Sequence, residues 1–433
     1  MNVCVVGLGY VGLTLALTLA DLGIKVSGID TNKETTKKLN QSIATISEKG
    51  LEELLKKNLN KNFQILENFE NEEFEIFVIS VGTPLNENKK PILEYIVSAT
   101  NEIGTVLKKG QTIILRSTVP VGTTKNTIIP ILEKKSGLKA GKDFEVSFAP
   151  ERTAEGVALS ELRKNPQIIG SLTEKGFEKT KQLFLKMTKT ILPVSNIETA
   201  EMMKLIDNSY RDVHFAYSNE IALICEMLKI DARECIEKAN FEYPRNQIPM
   251  PSPGVGGPCL SKDPYILVDV ANAFDYDPKL ISHSRWVNEN VPVFLSSKII
   301  KKLEKLDKKS EKIKIFVIGF AFKGNPQTDD IRESSTIVLV NELKRKFTNI
   351  QGYDPVVSKK QIEDLGVRYT EFEEGFIDSD CIIIMNNNKS YFSHDIENLM
   401  NKTNKPCIFV DTWSMFKEFM DKKNINYTSV GLE

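Results

Sequence analysis

The run Asn2-Val-Cys-Val-Val-Gly-Leu-Gly-Tyr-Val-Gly12, continued through the apolar residues 13–22 and the segment Lys25-Val-Ser-Gly-Ile-Asp30, decides the fold. Its first five residues are a β-type apolar run, residues 13–22 read as a buried helix, and residues 25–29 give a second strand that ends in an acid. That order is a βαβ dinucleotide unit. Gly7 allows a tight turn, Gly9 lets the backbone meet a pyrophosphate, and Gly12 allows close packing of helix on strand. The helix opened by Tyr10 and Val11 turns its N-terminus to the phosphates. The glycine pattern alone is a weak signal, but here a strand, a helix and an acid about eighteen residues past the last glycine all fall in place. Asp30 is expected to accept from ribose hydroxyls and to repel a 2′-phosphate, which selects NAD over NADP.

The alternation continues. Residues 74–81 form an apolar run that breaks at Gly82-Thr83-Pro84, residues 112–116 break at Ser117-Thr118-Val119-Pro120, and residues 144–149 break at Pro150-Glu151-Arg152. In an open parallel sheet the C-terminal strand edge is where ligands bind, so Thr83, Ser117, Thr118, Glu151 and Glu155 are expected to crowd toward the cofactor. The same residue types are also ordinary turn formers at strand ends.

From residue 198 to about 229 the pattern turns helical, without glycine or proline, and sets Lys204 and Asn208 four residues apart on one face. That pair is either functional or an exposed polar face. A second helical stretch covers residues 279–306, so the middle of the chain is mostly helical, with long helices suited to a dimer surface. Between the two lies Pro253-Gly-Val-Gly-Gly-Pro-Cys-Leu-Ser-Lys-Asp-Pro264. Its glycines permit close approach to a ligand. A thiol placed where a helix begins would have its thiolate favoured by unpaired amide groups, and a helical turn would return Asp263 beside Cys259. Against this catalytic reading stands a buried cysteine in a tight turn. Beyond a lysine-rich linker at residues 303–314, strands recur at 313–318, 350–353, 381–385 and 407–410. The turn Gly319-Phe-Ala-Phe-Lys-Gly324 lacks the third glycine of a dinucleotide site, so this second α/β unit binds another nucleotide or merely packs, with Lys323 and Arg332 as its cations.

Composition narrows the classes. The 433 residues are 41% hydrophobic and 27% charged with a net charge of −1, which suits a globular protein of two or three domains and gives no reason for a nucleic-acid partner. No apolar run is long enough to span a membrane, and the basic head of a signal peptide is missing. Six scattered cysteines form no CxxC pair and no metal-site spacing, so reduced thiols in a cytoplasm and no bound metal are expected.

Taken in order, the Gly7–Gly12 fingerprint, Val81-Gly-Thr-Pro84, Ser117-Thr-Val-Pro-Val-Gly-Thr123, Pro150-Glu-Arg-Thr-Ala-Glu-Gly156, Lys204 with Asn208, Gly256-Gly-Pro-Cys259 with Lys262 and Asp263, Gly319-Phe-Ala-Phe-Lys323 and Arg332-Glu-Ser334 resemble the UDP-glucose/GDP-mannose dehydrogenase family over almost the whole chain. The resemblance implies an α/β protein with two Rossmann-like doubly wound parallel sheets joined by a central helical region. Its domains would be an NAD-binding domain at 1–195, a helical dimerising region with the cysteine loop at 196–306, and a domain for the nucleotide-sugar at 307–433. It implies oxidation of the C6 alcohol of a UDP-sugar to the uronic acid with NAD, in a cytoplasmic homodimer or larger homo-oligomer that feeds a polysaccharide pathway. Carried over residue by residue, it makes Cys259 the nucleophile, Lys204 and Asn208 the groups that hold an oxyanion, Asp263 a base or water-orienting group, and Thr118 and Glu151 helpers in placing water. It puts Glu155 and Arg332 beside the cofactor, and Glu151, Arg152, Lys204, Asn208, Arg245, Gly256, Phe322 and Lys323 on the substrate, with Arg245 reaching across a subunit interface.

The chain also departs from the family pattern. Asp411-Thr-Trp413 stands where many members carry an arginine for the nucleotide, and residues 324–331 form a longer loop than in UDP-glucose members. The cysteine loop and Pro150-Glu-Arg152 resemble the UDP-N-acetylhexosamine branch, whereas Lys262 is shared with the glucose type and Pro258 stands where the N-acetylmannosamine type usually has histidine. A UDP-N-acetylhexosamine is therefore the expected substrate, with UDP-glucose and then GDP-mannose behind it. Three other readings compete. A cysteine hydrolase needs a histidine partner, yet His214, His283 and His394 lie in none of the strand-end motifs. A non-catalytic NAD sensor has no need of Cys259, Lys204, Asn208 and Asp263 together, and a one-step hydroxy-acid dehydrogenase does not require Cys259.

Overall fold

In a computed structural model that describes residues 1–69 and 72–432, the chain divides into two compact units, Met1–Asp207 with Tyr265–Asp277, and Asn208–Pro264 with Pro278–Glu433. The first unit holds eight strands: β1 (Asn2–Val6), β2 (Lys25–Ile29), β3 (Phe63–Leu66), β4 (Ile76–Ile79), β5 (Thr112–Leu115), β6 (Glu145–Phe148), β7 (Gln167–Ser171) and β8 (Ile191–Pro193). They lie in the order β3-β2-β1-β4-β5-β6-β7-β8, whose first six strands are the dinucleotide-binding order. All neighbours are parallel except β6 and β7. Both faces are covered, which is why the strands are apolar without a break: Val3 and Val5 enter one core with Leu13 and Leu17, while Cys4 and Val6 enter the other with Phe77 and Ile113.

The second unit repeats the plan with β9 (Ile315–Ile318), β10 (Ile350–Tyr353), β11 (Arg368–Tyr369), β12 (Cys381–Ile384), β13 (Cys407–Asp411) and β14 (Ile425–Thr428). Its order is β11-β10-β9-β12-β13-β14, parallel throughout. Again alternate residues of one strand serve two cores, Ile315 and Val317 in one and Phe316 and Ile318 in the other. Helices Ile197–Leu228, Ala232–Asn240, Asp263–Asn272 and Lys279–Leu303 make up the middle of the chain. The lysine-rich stretch at 304–312 is largely solvated, as its composition suggests. Among the described residues no helix is long and apolar enough to cross a membrane, and no cluster of three His, Cys, Asp or Glu side chains could hold a metal ion.

Candidate active site

The glycine turn behaves as its spacing predicts, each glycine for its own reason. Gly7 has φ +93°, a conformation that penalises any Cβ, and its N–H donates to the Ile29 carbonyl at 2.8 Å. A Cβ on Gly12 would sit 1.8 Å from the Gly7 carbonyl oxygen, whereas one on Gly9 would meet no atom of the described residues within 4 Å. Gly9 caps the helix Tyr10–Asp21 with no side chain of its own, leaving the first amides of that helix to a ligand. Asp30 Oδ2 accepts from Leu8 N at 2.7 Å and Oδ1 from Asn32 N at 2.8 Å, so its carboxylate is oriented at the edge of a cavity of ≈ 260 Å³. Gly7, Gly9, Thr31, Ser80 and Gly82 also line that cavity, and the Ser80 hydroxyl is buried without a partner among the described residues. The open face at Gly9, the carboxylate and the unsatisfied hydroxyl fit a dinucleotide.

The other strand ends of the first unit are tied together. Thr83 Oγ1 donates to the Thr118 carbonyl at 2.6 Å and Ser117 Oγ to the Val81 carbonyl at 2.6 Å, so both hydroxyls fasten neighbouring turns. Glu151 accepts from the Thr153 amide and lies 3.9 Å from Lys204 Nζ, both side chains nearly buried. Arg152 is paired with Asp207 at 2.8 Å. Arg116, buried at the end of β5, holds the Ala149 carbonyl at 3.0 Å and Gln167 at 2.9 Å; burial lowers its pKa to about 10 against the pull of Glu151. Tyr10 donates to Glu48, and both accept from the Gly156 amide, which closes the 150–156 loop beside Glu155. Burial first, and Glu48 second, push the Tyr10 phenol well up, so it stays protonated as a donor.

In the second unit the cysteine loop takes a different form from the one expected of a helix start. Cys259 lies in a turn, and the helix begins only at Asp263. The amides of Lys262 and Asp263 donate to the Cys259 carbonyl at 3.1 and 2.9 Å. The turn nevertheless sets Asp263 one helical step along the backbone from Cys259. Cys259 is exposed, which rules out a buried packing cysteine, and all six cysteines are thiols. Asp263 is only 1% exposed, and its two oxygens accept from Asn208 Nδ2 at 2.6 Å and Lys262 Nζ at 2.7 Å. Lys204 and Asn208, at 7% and 5% exposure on the one long helix, are not an exposed polar face. Gly256 and Gly257 are required by packing: a Cβ on Gly256 would lie 2.1 Å from the Glu333 carbonyl oxygen, and one on Gly257 would strike the Phe322 ring. Lys323 sits 5.3 Å from that ring centroid, the Arg332 side chain is bound to Asp330, and Arg245 is exposed against the Tyr243 ring at 5.7 Å. At the departure position Trp413 donates to the Met385 carbonyl at 3.0 Å. The three histidines are surface or packing residues on helices or turns: His214 lies against Tyr210, exposed His283 on the Lys279 carbonyl, and His394 against Phe372.

The chain matches three domain descriptions of the UDP-glucose/GDP-mannose dehydrogenase family: the NAD binding domain over residues 1–188, the central domain over 198–290 and the UDP binding domain over 316–418. It is 34% identical to the UDP-N-acetyl-D-mannosamine dehydrogenase of Pyrococcus horikoshii over 96% of both chains, and 37% identical to that of Campylobacter jejuni over 79% of this chain and 83% of that one. The chain belongs to this family. The solved structure of the Pyrococcus horikoshii UDP-D-ManNAc dehydrogenase superposes with a TM-score of 0.90 over 100% of this chain and 99% of that one, at 33% identity. The native UDP-N-acetyl-mannosamine dehydrogenase of Staphylococcus aureus follows at 0.84 and 30% identity, over 100% and 98%. This nucleotide-sugar dehydrogenase is therefore NAD-dependent, and the glycine turn with Asp30 lies within the part that matches the NAD binding domain.

Four polar residues of the dehydrogenase escaped the sequence reading: Glu48, Arg116, Glu201 and Arg285. Glu201 is fully buried and accepts from Gly122 N at 2.6 Å, Thr124 N at 2.9 Å and Thr124 Oγ1 at 2.6 Å, which fixes the long helix to the loop that follows Thr118. Its one legible signal was its place three residues before Lys204, on the same helical face.

Proposed function

We propose that the protein is a UDP-N-acetyl-D-mannosamine 6-dehydrogenase that oxidises the sugar C6 alcohol twice, through a thiol adduct on Cys259. The observation that carries the mechanism is an exposed thiol four residues ahead of a buried carboxylate held by both Asn208 and Lys262. The sugar is argued from the names of full-length relatives at 33–37% identity and from the loop residues Pro253-Gly-Val-Gly-Gly.

When bound at the Gly7–Gly12 turn and Asp30, NAD would supply the hydride acceptor, one molecule for each oxidation. Between the two, the Cys259 thiolate attacks the C6 aldehyde, forming a C–S bond and an oxyanion that Lys204 and Asn208 stabilise. Loss of the second hydride leaves a thioester. Water, placed by Thr118 and Glu151 and deprotonated with the help of Asp263, then forms a C–O bond as the C–S bond breaks, and the thiol returns with the carboxylate product. Glu155 and Arg332 serve the cofactor side, and Arg152, Arg245, Gly256, Phe322 and Lys323 the substrate. The reading assigns residues 1–195 to NAD, 196–306 to a helical dimer surface and 307–433 to the UDP-sugar. Exposed Ile206, Tyr210, Tyr217, Ile224 and Met227 along one helix support at least a homodimer, which light scattering tests: a monomeric mass counts against it. Six reduced thiols suit a cytoplasmic enzyme that supplies a polysaccharide precursor.

NADH formation with UDP-N-acetylmannosamine, UDP-N-acetylglucosamine, UDP-glucose and GDP-mannose tests the substrate. The first is expected to turn over fastest. UDP-glucose as the best substrate would instead give weight to Lys262, the residue shared with the glucose type.

A further inference from the structure

Arg285 lies in the helix Lys279–Leu303 and is 1% exposed, among the largest fully buried side chains of the protein. It does more than neutralise a neighbour. Nη1 donates to Asp212 Oδ1 at 2.6 Å and to the Leu260 carbonyl at 2.7 Å, and Nη2 donates to the Val255 carbonyl at 2.9 Å. Those two carbonyls flank Cys259. One planar guanidinium thus grips the loop on both sides of the thiol, a task for which an ammonium lacks the fixed fork of donors.

The anchor behind the grip is itself held. Asn288 Nδ2 donates to the Asp212 carbonyl at 2.9 Å and to Oδ1 at 2.8 Å; Asn219 Nδ2 donates to Asn288 Oδ1 at 2.9 Å, and Asn219 Oδ1 accepts from the Ser252 amide at 2.9 Å. The network therefore starts and ends on the cysteine loop, entering at Ser252 and leaving at Val255 and Leu260. Burial pushes the Asp212 carboxyl up to about 6 against the pull of Arg285, so near neutral pH it is ionised and serves as the counter-ion. Gly254 belongs to the same clasp, since a Cβ there would lie 2.9 Å from both the Asn288 carbonyl oxygen and Pro292 Cδ.

We propose that Arg285 is a positioning residue for the second oxidation: it fixes the loop so that the Cys259 sulfur meets the aldehyde, and the first oxidation does not depend on it. The inference rests on the reading of Cys259 as nucleophile. It predicts an uneven loss. When the grip is weakened the alcohol is still oxidised to the aldehyde, but capture by sulfur lags and aldehyde escapes.

The test is Arg285→Lys, which keeps the charge beside Asp212 and loses the two-sided hold. With purified enzyme, UDP-N-acetylmannosamine and NAD, the NADH formed per sugar is counted, aldehyde is trapped with hydroxylamine, and the rate of Cys259 alkylation by iodoacetamide is followed from pH 6 to 9. Expected are a ratio falling from about two toward one, trapped aldehyde, a KM within about threefold of wild type, and an alkylation profile displaced from wild type. A ratio that stays at about two with an unchanged alkylation profile overturns the proposal, since a merely structural residue slows both oxidations alike. If the lysine variant is insoluble, Asn288→Ala, which frees the anchor and leaves Arg285 in place, is expected to show the same fall in smaller measure, and a wild-type ratio there overturns the proposal equally. Cys259→Ala run alongside separates the two claims: a ratio of about two from that variant sinks the nucleophile reading itself, whatever Arg285 does.

Discussion

The two sheets of this protein begin with almost the same turn, and only one of the turns runs through an open glycine straight into a helix. Gly7 and Gly319 have φ of +93° and +95°, and each donates at 2.8 Å to the last carbonyl of the neighbouring strand, Ile29 or Tyr353. The next residues, Leu8 and Phe320, each donate at 2.7 Å to an aspartate after that strand, Asp30 or Asp354, and each packs on a glycine inside it, Gly28 or Gly352. The likeness stops one residue later. In the first unit comes Gly9, with nothing in the way of its side, and the helix starts at once at Tyr10. In the second comes buried Ala321, whose amide also bonds Asp354 at 3.0 Å, while the Val356 and Val357 amides take up the other oxygen and the helix waits until Ser335. The turn hydrogen bonds are thus common property of this strand order. What sets the first turn apart is one bare backbone position and an immediate helix N-terminus, features that suit a pyrophosphate.

The sharpest way to break that comparison is Gly12→Ala. Its Cβ would sit 1.8 Å from the Gly7 carbonyl oxygen, and a loss of more than about 3 kcal/mol in urea unfolding is expected, since backbone cannot yield as a side chain can. Asp354→Asn comes next: it sets an amide against a ring of donors and should cost about 2–4 kcal/mol of stability, with NAD affinity by titration calorimetry unchanged. Gly9→Ala should do the reverse, weakening NAD about 10–100-fold at an unaltered thermal midpoint, because the methyl meets cofactor and not protein. Equal damage to folding from Gly9→Ala would contradict the division between the turns. Smallest is Ala321→Gly, expected to lose about 0.5–1 kcal/mol by flexibility alone and to confer no NAD binding on the second turn.

Much of this was legible in the chain. Strands buried on both faces, β1, β4, β9 and β12, announce themselves as short apolar runs, and the long helix was bounded to within a residue at each end, Ile197–Leu228 against 198–229. Strands at or next to the sheet edges were not: β11 is two residues long, β8 is three and mostly exposed, and β7 and β14 mix polar residues that only a neighbouring strand makes extended. The site shows the same limit. Glycine spacing and Cys259 are local signals. Arg285 is not, because its meaning lies in carbonyls some 25 and 30 residues away that no pattern in its own helix reveals. The turn at Cys259 likewise looked like a helix start, whereas the helix begins four residues later, at Asp263.

The central claim is that one thiol carries the second of two oxidations, and the direct measurement is NADH released per UDP-N-acetylmannosamine by wild type and by Cys259→Ser. The account predicts about two for the wild type and no more than about one for the variant, with aldehyde recoverable from the variant alone. A variant that still reaches two, or a wild type that never exceeds one, would contradict it.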